Sequence, residues 1–330
     1  MTVAIKSLRL LIYLSMYKYK KYLAIFIVCI TLSGCRSSAK KHRNKALIGD
    51  SVSVVTTKSL NIEPGFSNPL LKTYKSYLSG LDTAQMENST MAVKKFIELF
   101  AKQDQSTCDS AFFIFNGYYA KLRNGFEDLP ERDTTIKFDS LFTDSAKTNH
   151  QFSPNLTQYA EKLKTNGFKI YMSEGDYYIG QDLDFIAKWF YAYVSPQMRE
   201  YLNQLNKENK QGFSDDAELI IDPVQFASRT VWWEKFAAKY PHFIESGNAT
   251  ENWKSYLGSL LLGMDNSPIL DFYKKTISDY YKTAYTYIQN NYPDTQTNKL
   301  VSPYFKMLLQ KQNGNADKLI NKYGKEGKIL

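Results

Sequence analysis

The stretch Asp222-Pro223-Val224-Gln225-Phe226-Ala227-Ser228-Arg229-Thr230-Val231-Trp232-Trp233-Glu234-Lys235-Phe236-Ala237-Ala238-Lys239-Tyr240-Pro241 carries a start, a face and a stop. Asp is a capping side chain and Pro suits the first helical position, so Asp222-Pro223 opens a helix. Phe226, Thr230, Trp233, Ala237 and Tyr240 recur at helical spacing and mark the core face. Pro241 disfavours helical backbone at Tyr240 and forces the exit. Ser267-Pro268 is read as a second such start, with Leu270, Tyr273, Ile277, Tyr281, Ala284 and Ile288 on the core face and Tyr292-Pro293 as the exit. Ser195-Pro196 opens a third helix by the same rule.

The two Tyr-Pro exits align at an offset of 52 residues, which places Trp233 on Tyr285, Phe236 on Ile288, Tyr240 on Tyr292 and Trp253 on Phe305. Each proline precedes a polar stretch and a second helix, expected to be capped by Thr250 in one case and Ser302 in the other. Each tyrosine is expected to lie against its own second helix. The pattern resembles the tetratricopeptide-like hairpins of outer-membrane-associated bacterial lipoproteins, in which an aromatic and Tyr-Pro close the first helix. The offset differs from the usual ~34-residue period of such repeats. The fold class expected is mainly α, an irregular helical-hairpin array.

Upstream, Met91 to Ala101 and Ser110 to Leu122 also read as helices, the second carrying Phe112, Phe113, Phe115, Tyr118 and Tyr119. Residues 124–152 read as a long polar connection, and Ser153-Pro154 as another helix start. One segment alternates as strand: Phe168, Ile170 and Met172, a turn at Ser173-Glu174-Gly175-Asp176, then Tyr177-Tyr178-Ile179. This small β-hairpin must pack on helices, because an isolated hairpin is marginal in water. Residues 61–180 thus read as a mixed helical region and residues 181–330 as the helical-hairpin domain.

The N-terminus reads as an address. Basic Lys18-Tyr19-Lys20-Lys21 precedes an apolar run from Tyr22 to Leu32 and the small residues Ser33-Gly34. That run of 11 residues rises roughly 16 Å as a helix, about half of a bilayer's hydrocarbon thickness. A second apolar stretch, Leu10 to Met16, leaves open whether Met1 or Met16 is the start. Leu32-Ser33-Gly34-Cys35 resembles the lipobox of bacterial lipoproteins. The resemblance implies that residues 1–34 are a signal peptide and that Cys35 is diacylated before cleavage just ahead of it. Attachment through two or more acyl chains is durable. Residues 35–60 read as a flexible tether. The residue after the cysteine is Arg36, not the Asp associated with inner-membrane retention, and the tether is basic where surface-displayed lipoproteins are acidic. By that analogy the protein sits at the outer membrane, on its periplasmic face.

Charge and motifs bound the function. The chain of 330 residues carries a net +9, with five positive charges and no acid in residues 1–35 and five more in residues 36–45. Residues 46–330 are left at −1, too little to neutralise phosphates, so nucleic acid is not an expected partner. With 3 Cys, of which Cys29 leaves with the signal, no disulfide framework is expected, and Cys108 reads as a buried small hydrophobe. There is no His-Glu-x-x-His, Cys-x-x-Cys, P-loop, dinucleotide fingerprint or Gly-x-Ser-x-Gly. No metal and no cofactor are therefore expected, and His42, His150 and His242 read as solvated. The acid pairs Asp182/Asp184 and Asp215/Asp216/Glu218 could serve glycoside hydrolysis, but the first also suits a helix N-terminus. Asp-Ser/Thr followed by a small or apolar residue, as at Asp82-Thr83-Ala84 and Asp109-Ser110-Ala111, resembles an O-glycosylation acceptor of some Gram-negative lineages and equally suits local capping.

Adjacent Trp232 and Trp233 point about 100° apart on a helix. If Trp233 is core, Trp232 lies on a flank near Phe236, where it could stack on a sugar or anchor a peptide. Three readings follow: a lipid-anchored, non-enzymatic scaffold binding another envelope protein, a glycan-binding lipoprotein, and an envelope hydrolase. Exposed aromatics around a shallow groove favour glycan, an apolar concave helix face favours a protein partner, and a cleft with a shifted carboxylate favours an enzyme.

Overall fold

The computed structural model describes residues 68–126, 154–173 and 176–330, which form eleven helices and two short antiparallel ladders. The expected signal peptide, Cys35, the expected tether and most of the expected 124–152 connection lie outside the described residues.

Helix α1 (Pro69–Ser79) starts where the Asn68 side chain accepts the Leu70 N–H and Pro69 takes the first turn. It packs on α2 (Asn88–Phe100) and α3 (Gln105–Phe126), with the Tyr74 hydroxyl donating to the Ala92 carbonyl at 2.9 Å. Residues 124–126 continue α3 rather than opening the connection. Ala92, Phe96, Phe100, Phe112, Phe115 and Tyr119 are buried as their spacing predicts, whereas Phe113 is only half-buried.

Helix α4 (Pro154–Thr165) leads into β1 (Phe168–Ser173), which pairs with β2 (Asp176–Gln181) in the register Ile170 to Ile179. Phe168 turns onto Tyr119 with ring centroids 4.7 Å apart. At the strand entry Gly167 has φ +86° and accepts a hydrogen bond from the Tyr119 hydroxyl. A Cβ there would lie 2.6 Å from the Phe185 ring. Glycine is required by both conformation and space.

Helix α5 (Leu183–Phe190) then inserts Phe190 among Phe96, Phe112 and Phe115 at centroid distances of 4.8, 5.0 and 4.6 Å. The expected boundary between residues 180 and 181 therefore does not separate two cores; one continuous core runs through both regions. A second clamp acts at α6 (Pro196–Gln211), where Ser195 caps as predicted by accepting the Met198 N–H. The Ser195 backbone N–H and hydroxyl donate to the buried Asp109 carboxylate of α3 at 2.8 and 2.5 Å. Among the described residues the buried core side chains run from Leu71 to Ile329 as one cluster.

A second, unpredicted ladder follows, β3 (Ser214–Asp215) with β4 (Glu218–Leu219), turned by Asp216 and Ala217 at φ 47° and 55°. Then come the hairpins: α7 (Pro223–Lys239) against α8 (Ser246–Leu262), and α9 (Asp279–Asn291) against α10 (Gln296–Leu309), closed by α11 (Asn313–Lys325). Helix α7 has the expected bounds, with Asp222 accepting from Val224 and Gln225. The two exits match closely. Tyr240 sits at φ −126°, ψ 61° and Tyr292 at φ −137°, ψ 48°, each N–H returning to the aligned Phe236 or Ile288 carbonyl. Trp233 and Tyr285 are both fully buried.

Three details differ from the sequence reading. Ser267-Pro268 opens no helix. The Ser267 hydroxyl accepts the Leu219 N–H of β4, and its backbone pairs with Met264 in a tight turn. With that cap engaged elsewhere, residues 269–278 fold into an antiparallel loop, and the helix begins only after Ser278. Second, Thr250 and Ser302 lie inside α8 and α10, and Pro303 with them. Helix α10 starts earlier because Thr295 accepts the Asn298 N–H, and Glu234 of α7 takes the Gln296 and Thr297 N–H groups at 2.6 and 2.8 Å. Third, Tyr240 and Tyr292 reach back to preceding helices. The Tyr240 hydroxyl donates to Glu200 of α6 at 2.8 Å, and the Tyr292 ring lies under Lys235 of α7 at 4.7 Å.

Candidate functional site

Trp233 faces the core and Trp232, one residue earlier on α7, lies on the flank as the helical rotation requires. The Trp232 indole is half-buried and stacks on Phe236, centroids 5.0 Å apart and 16° from parallel. Opposite stands one face of α6, with Pro196 at its entry and Arg199, Glu200, Asn203, Gln204 and Lys207 in sequence. The spacing of three and four residues lines all of them along one groove of about 450 Å³. The groove is open and shallow, aromatic on one wall and polar on the other.

The polar wall is partly fixed. The Arg199 guanidinium donates to the Tyr191 carbonyl at 3.0 Å. Glu200 accepts from the Tyr240 hydroxyl and, at 3.1 Å, from the Lys239 ammonium. Among the described residues Asn203 and Lys207 make neither hydrogen bond nor ion pair, so both can turn to a ligand.

Beneath the groove lies a buried polar knot. The Gln204 amide donates to Glu208 at 2.6 Å, and the Trp233 indole N–H and Tyr256 hydroxyl donate to the same carboxylate, each at 2.8 Å. Arg229 completes it, Nε 3.8 Å from Glu208 Oε1, with its other donors on the Gly212 carbonyl and Gln211. The knot joins α6, α7 and α8 and fixes the angle at which Trp232 faces α6.

The raised carboxylates are buried. Burial raises Asp109 and pushes Glu245 up to about 7, and both are enclosed in the fold. Burial also raises Glu208, whose oxygens are taken up by the donors of the knot. Asp182 caps α5 by accepting the Asp184 N–H and pairs with Lys169 at 2.7 Å. Hydrogen bonds from Asn206 and Lys210 hold Asp184 down at about 2. This pair therefore serves a helix start. Asp215, Asp216 and Glu218 are exposed around the β3–β4 turn.

Cys108 is buried, its thiol donates to the Phe100 carbonyl at 3.3 Å, and burial raises it to about 11, away from nucleophilic use. His242 is exposed, and no group of three metal-ligating side chains occurs among the described residues. Of the Asp-Ser/Thr motifs within the described residues, Asp82 makes a local turn by accepting the Ala84 N–H, and Asp109-Ser110 lies inside α3.

Pairing between α6 and α7 was not legible in the sequence, because no pattern in either helix names its neighbour. The periodic polar run from Arg199 to Lys207 was the one available signal. No helix among the described residues is long and apolar enough to cross a membrane. No family model, no curated protein and no solved structure matches the chain.

Proposed function

We propose that this protein is a lipid-anchored envelope protein of a Gram-negative bacterium that binds a glycan in the groove between α6 and α7. The anchoring half rests on the lipobox-like Leu32-Ser33-Gly34-Cys35 behind an export signal. The observation that carries the binding half is Trp232, half-exposed opposite the amide and cationic side chains of Asn203, Gln204 and Lys207. A sugar offers an apolar face to an indole and a ring of hydroxyls to such donors and acceptors, a combination this groove supplies. A scaffold for another envelope protein would call for an apolar concave helix face, and one wall of this groove is charged and amide side chains. A hydrolase would call for a carboxylate raised in the cleft, and the raised ones, Asp109, Glu208 and Glu245, are buried in the fold.

The test is a glycan array followed by calorimetry on the best oligosaccharide, using the parent body and Trp232→Ala. Binding that drops by roughly tenfold or more in the variant supports the reading, since stacking on an aromatic side chain is worth about 1–3 kcal/mol where measured for planar bases. No oligosaccharide binding, or binding indifferent to Trp232, overturns it. Anchoring is read separately: Cys35→Ser should abolish incorporation of labelled palmitate in cells and leave the precursor uncleaved.

A further inference from the structure

Phe272 and Tyr273 are the two most exposed large hydrophobic residues among those described, at 72% and 89%. They are adjacent, edge to face at 5.3 Å, on the loop that replaces the expected helix start. Their exposure is built in. The Asp271 N–H donates to the Thr276 carbonyl and the Ser278 N–H to the Ile269 carbonyl, each at 2.8 Å, closing the loop's base. The Asp271 carboxylate accepts the Tyr273 and Lys274 N–H groups at 3.0 and 2.7 Å, and Lys275 turns the chain at φ 52°. The Asn313 amide of α11 adds a bond to the Lys275 carbonyl at 3.4 Å. A loop pinned at this many points holds its rings outward at no further cost in ordering.

The neighbouring charge is cationic. Lys274 and Lys275 are exposed, and the Lys275 ammonium stands 4.5 Å from the Phe272 ring centroid. The one acid within the tip, Asp271, is turned onto the loop's own backbone. Two rings at a tip fall well short of the ~800 Å² per partner that a stable protein interface buries. They do suit the boundary layer of a bilayer, where aromatic rings settle at headgroup depth and lysines beside them reach anionic phosphates.

We propose that the loop of residues 269–278 is a membrane-interface contact, inserting Phe272 and Tyr273 among phospholipid headgroups while Lys274 and Lys275 meet anionic lipid. The inference rests on the lipid-anchored reading only in that anchoring keeps the body near a bilayer. Cys35 lies 33 residues before Asn68, a length of chain that reaches at most roughly 115 Å. A durable anchor at that distance keeps the bilayer at high local concentration for a second, weaker contact.

The test uses residues 46–330, which carry every core side chain found among the described residues and lack Cys35, so failure of anchoring and failure of this contact are read apart. Co-sedimentation is measured with vesicles of phosphatidylethanolamine and phosphatidylglycerol. The parent should partition onto the vesicles, and Phe272→Ser/Tyr273→Ser should lower the partition coefficient by about tenfold or more, with an unchanged melting curve because both rings are exposed. Lys274→Gln/Lys275→Gln should weaken binding to the anionic vesicles and reduce its salt dependence, with little change on phosphatidylcholine alone. A parent that stays in the supernatant, or a ring variant that partitions like the parent, overturns the proposal and leaves the rings to a protein partner.

Discussion

Glu208 and Arg229 offer the sharpest test of how the groove is held. Their side chains are 5% and 3% exposed and 3.8 Å apart. At an effective dielectric of about 20 that separation corresponds to roughly 4 kcal/mol of attraction, offset by the desolvation of both ions. Removing one partner leaves the other charge buried. Glu208→Ala would strand the Arg229 guanidinium together with the Trp233 N–H and Tyr256 hydroxyl that now donate to the carboxylate. Breaking such a pair costs about 3–5 kcal/mol.

In a domain of this size each kcal/mol moves the midpoint by roughly 2 °C, so the melt should fall by about 5–10 °C. Glu208→Gln keeps an acceptor oxygen and loses the charge, and should fall between parent and Ala variant. Glu208→Ala/Arg229→Met should lose at least about 1 kcal/mol less than the sum of its single variants, because the second change removes the stranded charge. The assay is thermal and urea unfolding of residues 46–330, with intrinsic fluorescence reporting the Trp233 environment. A Glu208→Ala melt within about 2 °C of the parent, or strict additivity in the double variant, would refute the account.

The remaining predictions concern pH and the aligned hairpins. Burial raises the Glu245 carboxyl to about 7, against its Asn248 hydrogen bond. The native state therefore holds a proton that the unfolded chain releases near the ordinary carboxylate value of about 4.3, and this contribution to stability is full below about pH 4 and lost as pH rises towards 7. The span corresponds to a loss on the order of 3 kcal/mol. In melts from pH 4 to 8, Glu245→Gln should gain on the parent across that window, and a constant difference would sink the assignment. Tyr285, fully buried with its hydroxyl on the Leu260 carbonyl at 2.6 Å, should lose about 3–5 kcal/mol on truncation to Ala. Tyr240→Ala and Tyr292→Ala, at half-buried exits, should each cost about 1–2 kcal/mol; equal melts for all three variants would show that burial does not separate them. Glu234→Ala should cost about 1 kcal/mol or more through loss of the two N–H acceptors at α10, read in the same melts.

Signals that act within one turn of chain were complete in the sequence. Ser195-Pro196, Asp222-Pro223, Tyr240-Pro241 and Tyr292-Pro293 set helix ends where they stand, because cap and proline geometry involve only residues three or four apart. The alternation at Phe168, Ile170 and Met172 fixed a strand, and helical rotation placed Trp232 off the core face that Trp233 occupies. What needed a partner from elsewhere in the chain was decided by the tertiary structure. Ser267 carries the same cap-and-proline signal as Ser195, yet its hydroxyl is taken by Leu219, 48 residues away, and the helix moves to Asp279. Glu234 draws the start of α10 back to Thr295, overriding Ser302-Pro303. Phe190 fills the core of α1 to α3 and erases the boundary at residue 180. The groove exists because the Glu208–Arg229 knot sets α6 beside α7, and neither helix names the other. A local motif offers a hydrogen bond or a ring, and which group accepts it depends on competitors that only the folded chain brings within reach.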